Sequence, residues 1–424
     1  MSRTPTAAGG PPSDAEAGAV RVSEAPLGWT RGDTVRTTIA VGVALALLGT
    51  WAWLATTGGS GVGGRRASFA LLAGVALGIL FERGRFCFFC IFRDLFEHKN
   101  SRGAFSILTA LIVGTLGYAL VFAIRIPDPS GGTLPSDAHI APVSLALVLA
   151  GIAFGLGLVV SGGCIGGHLY RLGEGSLRAI PALLGVLVGF GLGFATWNPI
   201  YDWSIAGSPV PWLPSGNGYG LAVTLQLGVL IGLGVLLLRW NPPLEARPAR
   251  TIDAESVRRV VFFQRWPALL TGALVGLVGF LAYLRSEPLG VTSQLSSLTR
   301  TTLTEAGWLP RALHGLDQNI GGCVALVVDT ITANGWLIIG IVLASFAAAL
   351  PGRKFGIERL SLRGGLTGVL GGIALGWGAV IGLGCTIGVF LSGTQAMALS
   401  GWVFAISVTA AAGIGFKLGL HRGT

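Results

Sequence analysis

Four copies of one apolar, glycine-spaced heptapeptide constrain this chain more than any other feature. Leu72-Ala-Gly-Val-Ala-Leu-Gly78, Leu149-Ala-Gly-Ile-Ala-Phe-Gly155 and Leu370-Gly-Gly-Ile-Ala-Leu-Gly376 are nearly interchangeable, and Leu270-Thr-Gly-Ala-Leu-Val-Gly276 keeps the same glycines. In the first three, a cysteine follows the first glycine by 13 residues, at Cys87, Cys164 and Cys385, whereas the fourth copy has Arg285 in that slot. Two copies precede a polar stretch at 240–266 and two follow it, so the chain reads as two homologous halves, 58–239 and 267–424. Gly-x-x-x-Gly removes side chains from one helix face and lets backbones approach closely, which is how helices associate inside lipid.

Composition supports that solvent. Of 424 residues, 52% are apolar and 11% are charged, with a mean hydropathy of +0.71. Soluble chains carry roughly a quarter charged residues, so this chain cannot coat a water-soluble particle, and soluble-enzyme readings are excluded. Apolar segments long enough to cross a ~30 Å hydrocarbon core lie at about 37–57, 102–124, 142–162, 178–197, 220–239, 267–284, 335–351, 365–384 and 401–420. Shorter or interrupted pieces lie at 69–81, 86–92 and 319–328. Residues 1–36 read as a disordered tail without a signal peptide, and 37–57 as an additional transmembrane helix. The expected fold class is all-α, a polytopic membrane helix bundle in which broken or re-entrant helices meet at mid-membrane.

The breaks coincide with the cysteines. One apolar run stops at Glu82-Arg83-Gly84-Arg85 before Cys87, another at Gly162-Gly163-Cys164, and a third at Gly384-Cys385-Thr386. Non-helical backbone at membrane depth is tolerated where it is buried in protein or lines a cavity, and discontinuous helices point to a transport site. Thirteen residues of helix rise about 20 Å, enough to carry each cysteine well inside the bilayer. A thiol in a dry site keeps its proton and can donate a weak hydrogen bond, where a thiolate would repel an anion. Backbone N–H groups freed at the glycines add anion contacts without fixed charge. Gly84, Arg85, Gly162, Gly163, Gly384 and Thr386 therefore join Cys87, Cys164 and Cys385 as a candidate path for a small anion with a soft sulfur end.

Charge and motif searches narrow the rest. The net charge is +10, but no Lys/Arg stripe suggests nucleic acid. Neither zinc-ligand spacing, nor a phosphate-binding Gly-x-x-x-x-Gly-Lys-Ser/Thr, nor a His-Glu-x-x-His or Gly-x-Ser-x-Gly motif occurs, so no enzyme activity, cofactor or metal is expected. Glu82, Arg83, Arg85, Arg93 and Asp94 either anchor the first break by mutual ion pairing or line an anion entrance. Arg171 and Glu174, three apart, read as a helix-surface pair; His168 reads as structural, and Asp317, Asn319 and Asp329 as flanks of a short helix.

Sidedness follows from the arginines. Arg239 and the 240–266 arginines (247, 250, 258, 259 and 265) contrast with a 198–219 loop devoid of Lys and Arg, which makes 240–266 cytoplasmic. With re-entrant cysteine segments, counting back puts the N-terminal tail on the same side. It puts Arg65, Arg66, Arg93, Lys99 and Arg102 on the opposite side, against the positive-inside rule, so either that topology is wrong or these charges form an external basic vestibule.

Several strings resemble the YeeE/YedE-type membrane proteins, which include thiosulfate importers. They are Arg83-Gly-Arg-Phe-Cys87 with Phe92-Arg-Asp-Leu-Phe96 and Asn100, and Gly155-Leu-Gly-Leu-Val-Val-Ser-Gly-Gly-Cys164 with Leu169-Tyr-Arg-Leu-Gly-Glu-Gly175. Gly290-Val-Thr-Ser293 and Gly372-Ile-Ala-Leu-Gly-Trp-Gly378 leading to Gly384-Cys385 are similar as well. The similarity spans about 69–420 and leaves 1–57 outside it. It implies an hourglass-like helical carrier of a prokaryotic plasma or inner membrane, in contact with lipid, that passes thiosulfate along Cys87, Cys164 and Cys385. It also implies a cytoplasmic sulfurtransferase of the TusA type as recipient. Two other readings stay open: transport of another sulfur or selenium oxyanion, and a membrane thiol–disulfide oxidoreductase using Cys87-Phe-Phe-Cys90. Cys90 and Cys323 fall outside the three-cysteine pattern.

Overall fold

The computed structural model describes residues 30–56, 62–135, 138–240, 262–310, 312–317, 330–358 and 360–423. Among them every regular element is helical, and the one extended contact is an isolated bridge between Trp212 and Ala398. We number the helices α1 (Arg31–Thr56), α2 (Val62–Gly84), α3 (Phe88–Phe96), α4 (Arg102–Arg125), α5 (Leu145–Ser161), α6 (Ile165–Gly173) and α7 (Ala179–Ala195). Then come α8 (Pro214–Trp240), α9 (Ala268–Arg285), α10 (Ser293–Glu305), α11 (Ala333–Ala349), α12 (Leu362–Ile381) and α13 (Leu399–Lys417). A π-helical segment, Thr386–Gly393, lies between α12 and α13. Seven helical stretches among the described residues are long and apolar enough to cross a membrane, or eight if α7 and Trp197–Ile205, bent by 59°, count as one span.

The expected segments map onto these helices with instructive shifts. α1 begins at Arg31 instead of 37, because Thr30 and Asp33 cap it: the Asp33 carboxylate accepts from the Thr30 N–H at 2.9 Å, and the Thr30 hydroxyl accepts from the Asp33 N–H at 3.3 Å. The interrupted run at 69–81 is the middle of one 23-residue helix, α2, and 86–92 belongs to α3. Residues 1–29, 319–328 and Cys323 lie outside the described residues. α1 and α8 keep most of their apolar side chains exposed, Leu45, Leu48 and Trp53 on one and Leu221, Val229 and Ile231 on the other. Such faces are stable only in an apolar solvent.

The repeat glycines are where helices meet. A methyl group placed on Gly74 or Gly78 of α2 would strike backbone of α11 at Leu337 and Ile341. Gly272 and Gly276 of α9 abut α4 at Ser106 and Ala110, while Gly372 and Gly376 of α12 abut α7 at Ala182 and Val186. On α5, Gly151 faces Ser407 of α13, and at Gly155 the methyl would lie 2.6 Å from the Val408 carbonyl oxygen. Residue numbers rise together across each contact, so all four pairs run parallel. Exchanging the elements of 58–239 for those of 267–424 in order carries α2–α11 into α9–α4 and α5–α13 into α12–α7. The contact of α5 with α12, antiparallel through Gly157 and Gly371, is carried into itself.

The sidedness count fails for part of the basic set. Arg265, at the end of the 240–266 stretch, donates to the Gly84 carbonyl at 3.1 Å and lies 3.9 Å from the Asp94 carboxylate. Arg102 donates to the Trp266 carbonyl at 3.5 Å. Arg93 and Arg102 therefore sit beside Arg265 and Trp266, while Arg65 and Arg66 lie at the far end of α2. The reason is that α2 runs its full length to Arg265 and only Gly84–Asp94 turns back, whereas the count lets the whole cysteine-bearing segment return. Asp33 at the start of α1 bonds Arg353 at 2.8 Å, next to Lys354, which pairs with Glu82 at 3.2 Å. The start of α1 thus lies on this same basic rim.

Candidate functional site

The three repeat cysteines occupy one structural position. Cys87, Cys164 and Cys385 are the N-cap residues of α3, α6 and the 386–393 segment, each in extended backbone after a break. Two residues before each cysteine the chain takes a left-handed turn: Arg85 (φ 54°), Gly162 (φ 78°) and Leu383 (φ 60°). Glycine adopts that turn freely, but an L residue does so at a cost, so Arg85 and Leu383 are held there by their surroundings. Gly384 adds a φ of 154° just before Cys385.

The thiols are buried and near one another. Their exposures are 0% for Cys87, 3% for Cys164 and 1% for Cys385. The side chains of Cys87 and Cys164 meet, and Cys385 lies close enough to Cys164 to interact with it. Gly167 clears the space between the first two. A Cβ there would stand 2.9 Å from the Cys87 sulfur and 3.3 Å from the Cys164 sulfur. Gly166 is as closely approached from the other half, by Ile387 at 2.8 Å and Val291 at 3.9 Å. Phe88 and Phe390, 5.1 Å apart between ring centroids, join α3 to the 386–393 segment.

Backbone N–H groups converge on the sulfurs. The Gly167 N–H donates to Cys164 at 3.2 Å, and the Phe88 N–H also approaches that sulfur. Ile387 and Gly388 N–H groups approach Cys385. Helix starts present unpaired N–H groups and the positive end of the helix dipole, so the surroundings of the thiols favour partial negative charge. No group of three or more His, Cys, Asp or Glu that could hold a metal occurs among the described residues.

The expected charged residues form the basic rim around the Cys87 and Cys164 breaks. Glu82 pairs with Arg83 at 2.9 Å and with Lys354 at 3.2 Å, and Arg83 also donates to the Phe262 and Ala348 carbonyls. Arg93 and Arg265 flank Asp94 at 3.6 and 3.9 Å. The Arg171–Glu174 surface pair does not form. Glu174 instead binds Arg85 at 3.1 Å, and Arg171 turns inward to the Gly162 carbonyl at 2.6 Å and the Cys90 sulfur at 3.0 Å. Helical spacing alone cannot foresee a partner from another segment. His168, with Gly163 packed against its ring, bonds Ser161 at 3.1 Å. Asp317 binds Arg300 and accepts from the Leu313 N–H at 2.8 Å; Asn319 and Asp329 lie outside the described residues.

One member of the set escapes the spacing rule. The fourth repeat helix, α9, ends at Arg285, and the next helix starts seven residues later with Thr292 as its N-cap. Thr292, 1% exposed, faces Cys385. Arg285 is therefore only the end of α9, and the next helix start carries Thr292, which has helical backbone where the three cysteines are extended. The signal available in the sequence was Gly290-Val-Thr-Ser293, a glycine followed by two capping residues.

Known proteins resemble this chain over most of its length. A thiosulfate transporter TsuA of Escherichia coli (strain K12) is 29% identical over 353 residues, covering 78% of this chain and 89% of its own. A protein of the same name from Spirochaeta thermophila is 28% identical over 352 residues, covering 79% and 94%. A probable transporter YedE of Salmonella typhimurium is 31% identical over 124 residues, 29% of this chain and 28% of that one. The model of the family described as sulphur transport matches residues 83–414, starting at the first break and ending within the last helix. With its apolar helices and its buried row of helix-capping thiols, the chain belongs to the sulphur transport (YeeE/YedE) family of membrane transporters, which are not enzymes.

Proposed function

We propose that this protein imports thiosulfate across a prokaryotic plasma membrane by handing the anion along the thiols of Cys87, Cys164 and Cys385. The observation that carries this reading is the placement of all three sulfurs at helix starts, two of them packed together against the bare backbone of Gly167. Protonated thiols donate weakly to the terminal sulfur of thiosulfate, and the surrounding N–H groups offset its charge. Weak contacts in sequence let the ion leave as easily as it arrives. Residues 58–239 and 267–424 act as two halves of the carrier, with α1 an addition at its lipid-facing edge.

The basic rim of Arg83, Arg85, Arg93, Arg171 and Arg265 faces the cytoplasm in this reading, as the positive-inside rule requires. It draws the anion out of the thiol path and presents it to a TusA-type sulfurtransferase. Labelled thiosulfate uptake in a host lacking its own importer tests the scheme. Cys87→Ala, Cys164→Ala and Cys385→Ala are each expected to lower uptake at least about tenfold, the size of one lost hydrogen bond to an ion, while Cys90→Ala keeps it. Uptake surviving removal of all three sulfurs would sink the relay. Loss with Cys90→Ala but not with Cys164→Ala would favour thiol–disulfide chemistry instead.

A further inference from the structure

A groove of about 560 Å³ runs down the outside of the bundle between α8 and α13, floored by α3 and α4. Among its side chains only Thr409, Lys417 and two tryptophans carry a polar atom, and Trp402 spends its N–H on Gln226 at 3.1 Å. The floor is core, with Phe92, Leu111 and Leu230 buried, while the walls are open, with Leu236 59% and Ile406 64% exposed. An open apolar channel of this size is stable only when hydrocarbon fills it.

The two ends of the groove differ. α8 and α13 both finish in it, at Trp240 and Lys417. Tryptophan and lysine at the end of a membrane helix belong to the lipid–water interface. Lys417 is exposed and makes no ion pair among the described residues. Just beyond it His421 pairs with Glu97 at 2.9 Å, and Phe416 packs on Phe96, which brings this end beside Asp94 and the basic rim. The other end closes on Trp402 and Phe390. Lys417 follows Trp402 by fifteen residues of helix, about 22 Å. One leaflet with its headgroup layer, half of a ~40–45 Å bilayer, has the same depth.

The groove is therefore one leaflet long, apolar towards mid-membrane and positively charged at its mouth, which is the complement of a lipid with an anionic head. We propose that it is a binding site for one anionic phospholipid of the cytoplasmic leaflet, its phosphate on Lys417 and one acyl chain along α13 to Phe390. This goes beyond the thiosulfate reading and takes from it only the cytoplasmic placing of the basic rim; the identity of the carried anion does not enter. The chain tip meets the Phe88–Phe390 pair, 5.1 Å between centroids, that joins the segments following Cys87 and Cys385. The lipid thus backs two of the three cysteine-capped helix starts from the membrane side.

The test uses the full-length protein, washed of loose lipid in detergent and offered phosphatidylglycerol and phosphatidylethanolamine in equal amounts, with retained lipid counted by native mass spectrometry. Wild type is expected to keep one phosphatidylglycerol per chain. Ala410→Trp, which fills the groove from an exposed position of α13, should lower occupancy at least about tenfold. Ala46→Trp, the same change at an exposed position of α1, should leave it as it is. Lys417→Gln should lower the preference for phosphatidylglycerol about fivefold. Added phosphatidylglycerol should raise the thermal midpoint of wild type and Ala46→Trp but not of Ala410→Trp. Equal occupancy in Ala410→Trp and Ala46→Trp means bulk annular lipid only and overturns the site. So does a wild type that keeps no lipid, which leaves the groove to a protein segment or a second copy. Equal retention of the two lipids by wild type, or an unchanged preference in Lys417→Gln, overturns the anionic headgroup.

Discussion

The breaks at Cys164 and Cys385 share a backbone plan but are supported by opposite means. At Cys164 the left-handed residue is glycine, the thiol accepts its own helix cap, and polar side chains brace the turn. Arg171 holds the Gly162 carbonyl at 2.6 Å, and Ser161 links the Gly163 carbonyl at 2.9 Å to His168 at 3.1 Å. At Cys385 the left-handed residue is Leu383, the thiol makes no cap bond, the following turn is π-helical, and the Thr386 hydroxyl stands unpaired. A break can thus be braced by polar side chains or held without them, by backbone hydrogen bonds and packing. In the first case polar side chains are consumed by the fold, and in the second they are not.

That contrast can be broken or sharpened by substitution. The largest effect is expected at Gly167, where alanine would place a methyl 2.9 Å from the Cys87 sulfur and 3.3 Å from that of Cys164. Gly167→Ala should reduce thiosulfate uptake to background while the protein still elutes as a folded species. Normal uptake would mean that the space between the two sulfurs is not used. Next comes Arg171→Met, which strips one hydrogen bond from the Cys164 break and one to Cys90 of α3 and should cost about 2 kcal/mol of stability in denaturant unfolding. Ser161→Ala should cost about 1 kcal/mol, since its hydroxyl is paired. The smallest change in stability is expected from Thr386→Val, at or slightly above the wild-type midpoint. If Ser161→Ala and Thr386→Val destabilise equally, the distinction between a break braced by polar side chains and one held without them is wrong.

Much of the arrangement could be read without coordinates, for a physical reason. Gly74, Gly78, Gly151, Gly155, Gly272, Gly276, Gly372 and Gly376 mark close backbone contacts, and a missing side chain is visible in sequence whatever it packs against. Cys87, Cys164 and Cys385 were legible because their breaks begin a fixed number of helical residues after those glycines. Thr292 was not, because a break seven residues longer shifts the count, and loop length carries no periodic signal. The Arg171–Glu174 pair was misassigned because spacing along a helix reports neighbours on that helix, while Arg85 and Cys90 arrive from another segment. The sidedness of Arg93 and Arg102 depended on which part of the broken helix turns back. Hydropathy registers that a run is apolar, not the direction in which it leaves a glycine.

Arg265 touches both Gly84 and Asp94, so a single guanidinium closes the segment between them into a ring. A closed ring has a fixed circumference. One residue inserted between Cys87 and Asp94 would rotate the thiol by about 100° about the α3 axis, with no slack at either end to absorb the turn. The segment therefore works as a gauge that sets how far the first sulfur stands from the basic rim. Length variation in this region of the chain has room only outside the ring.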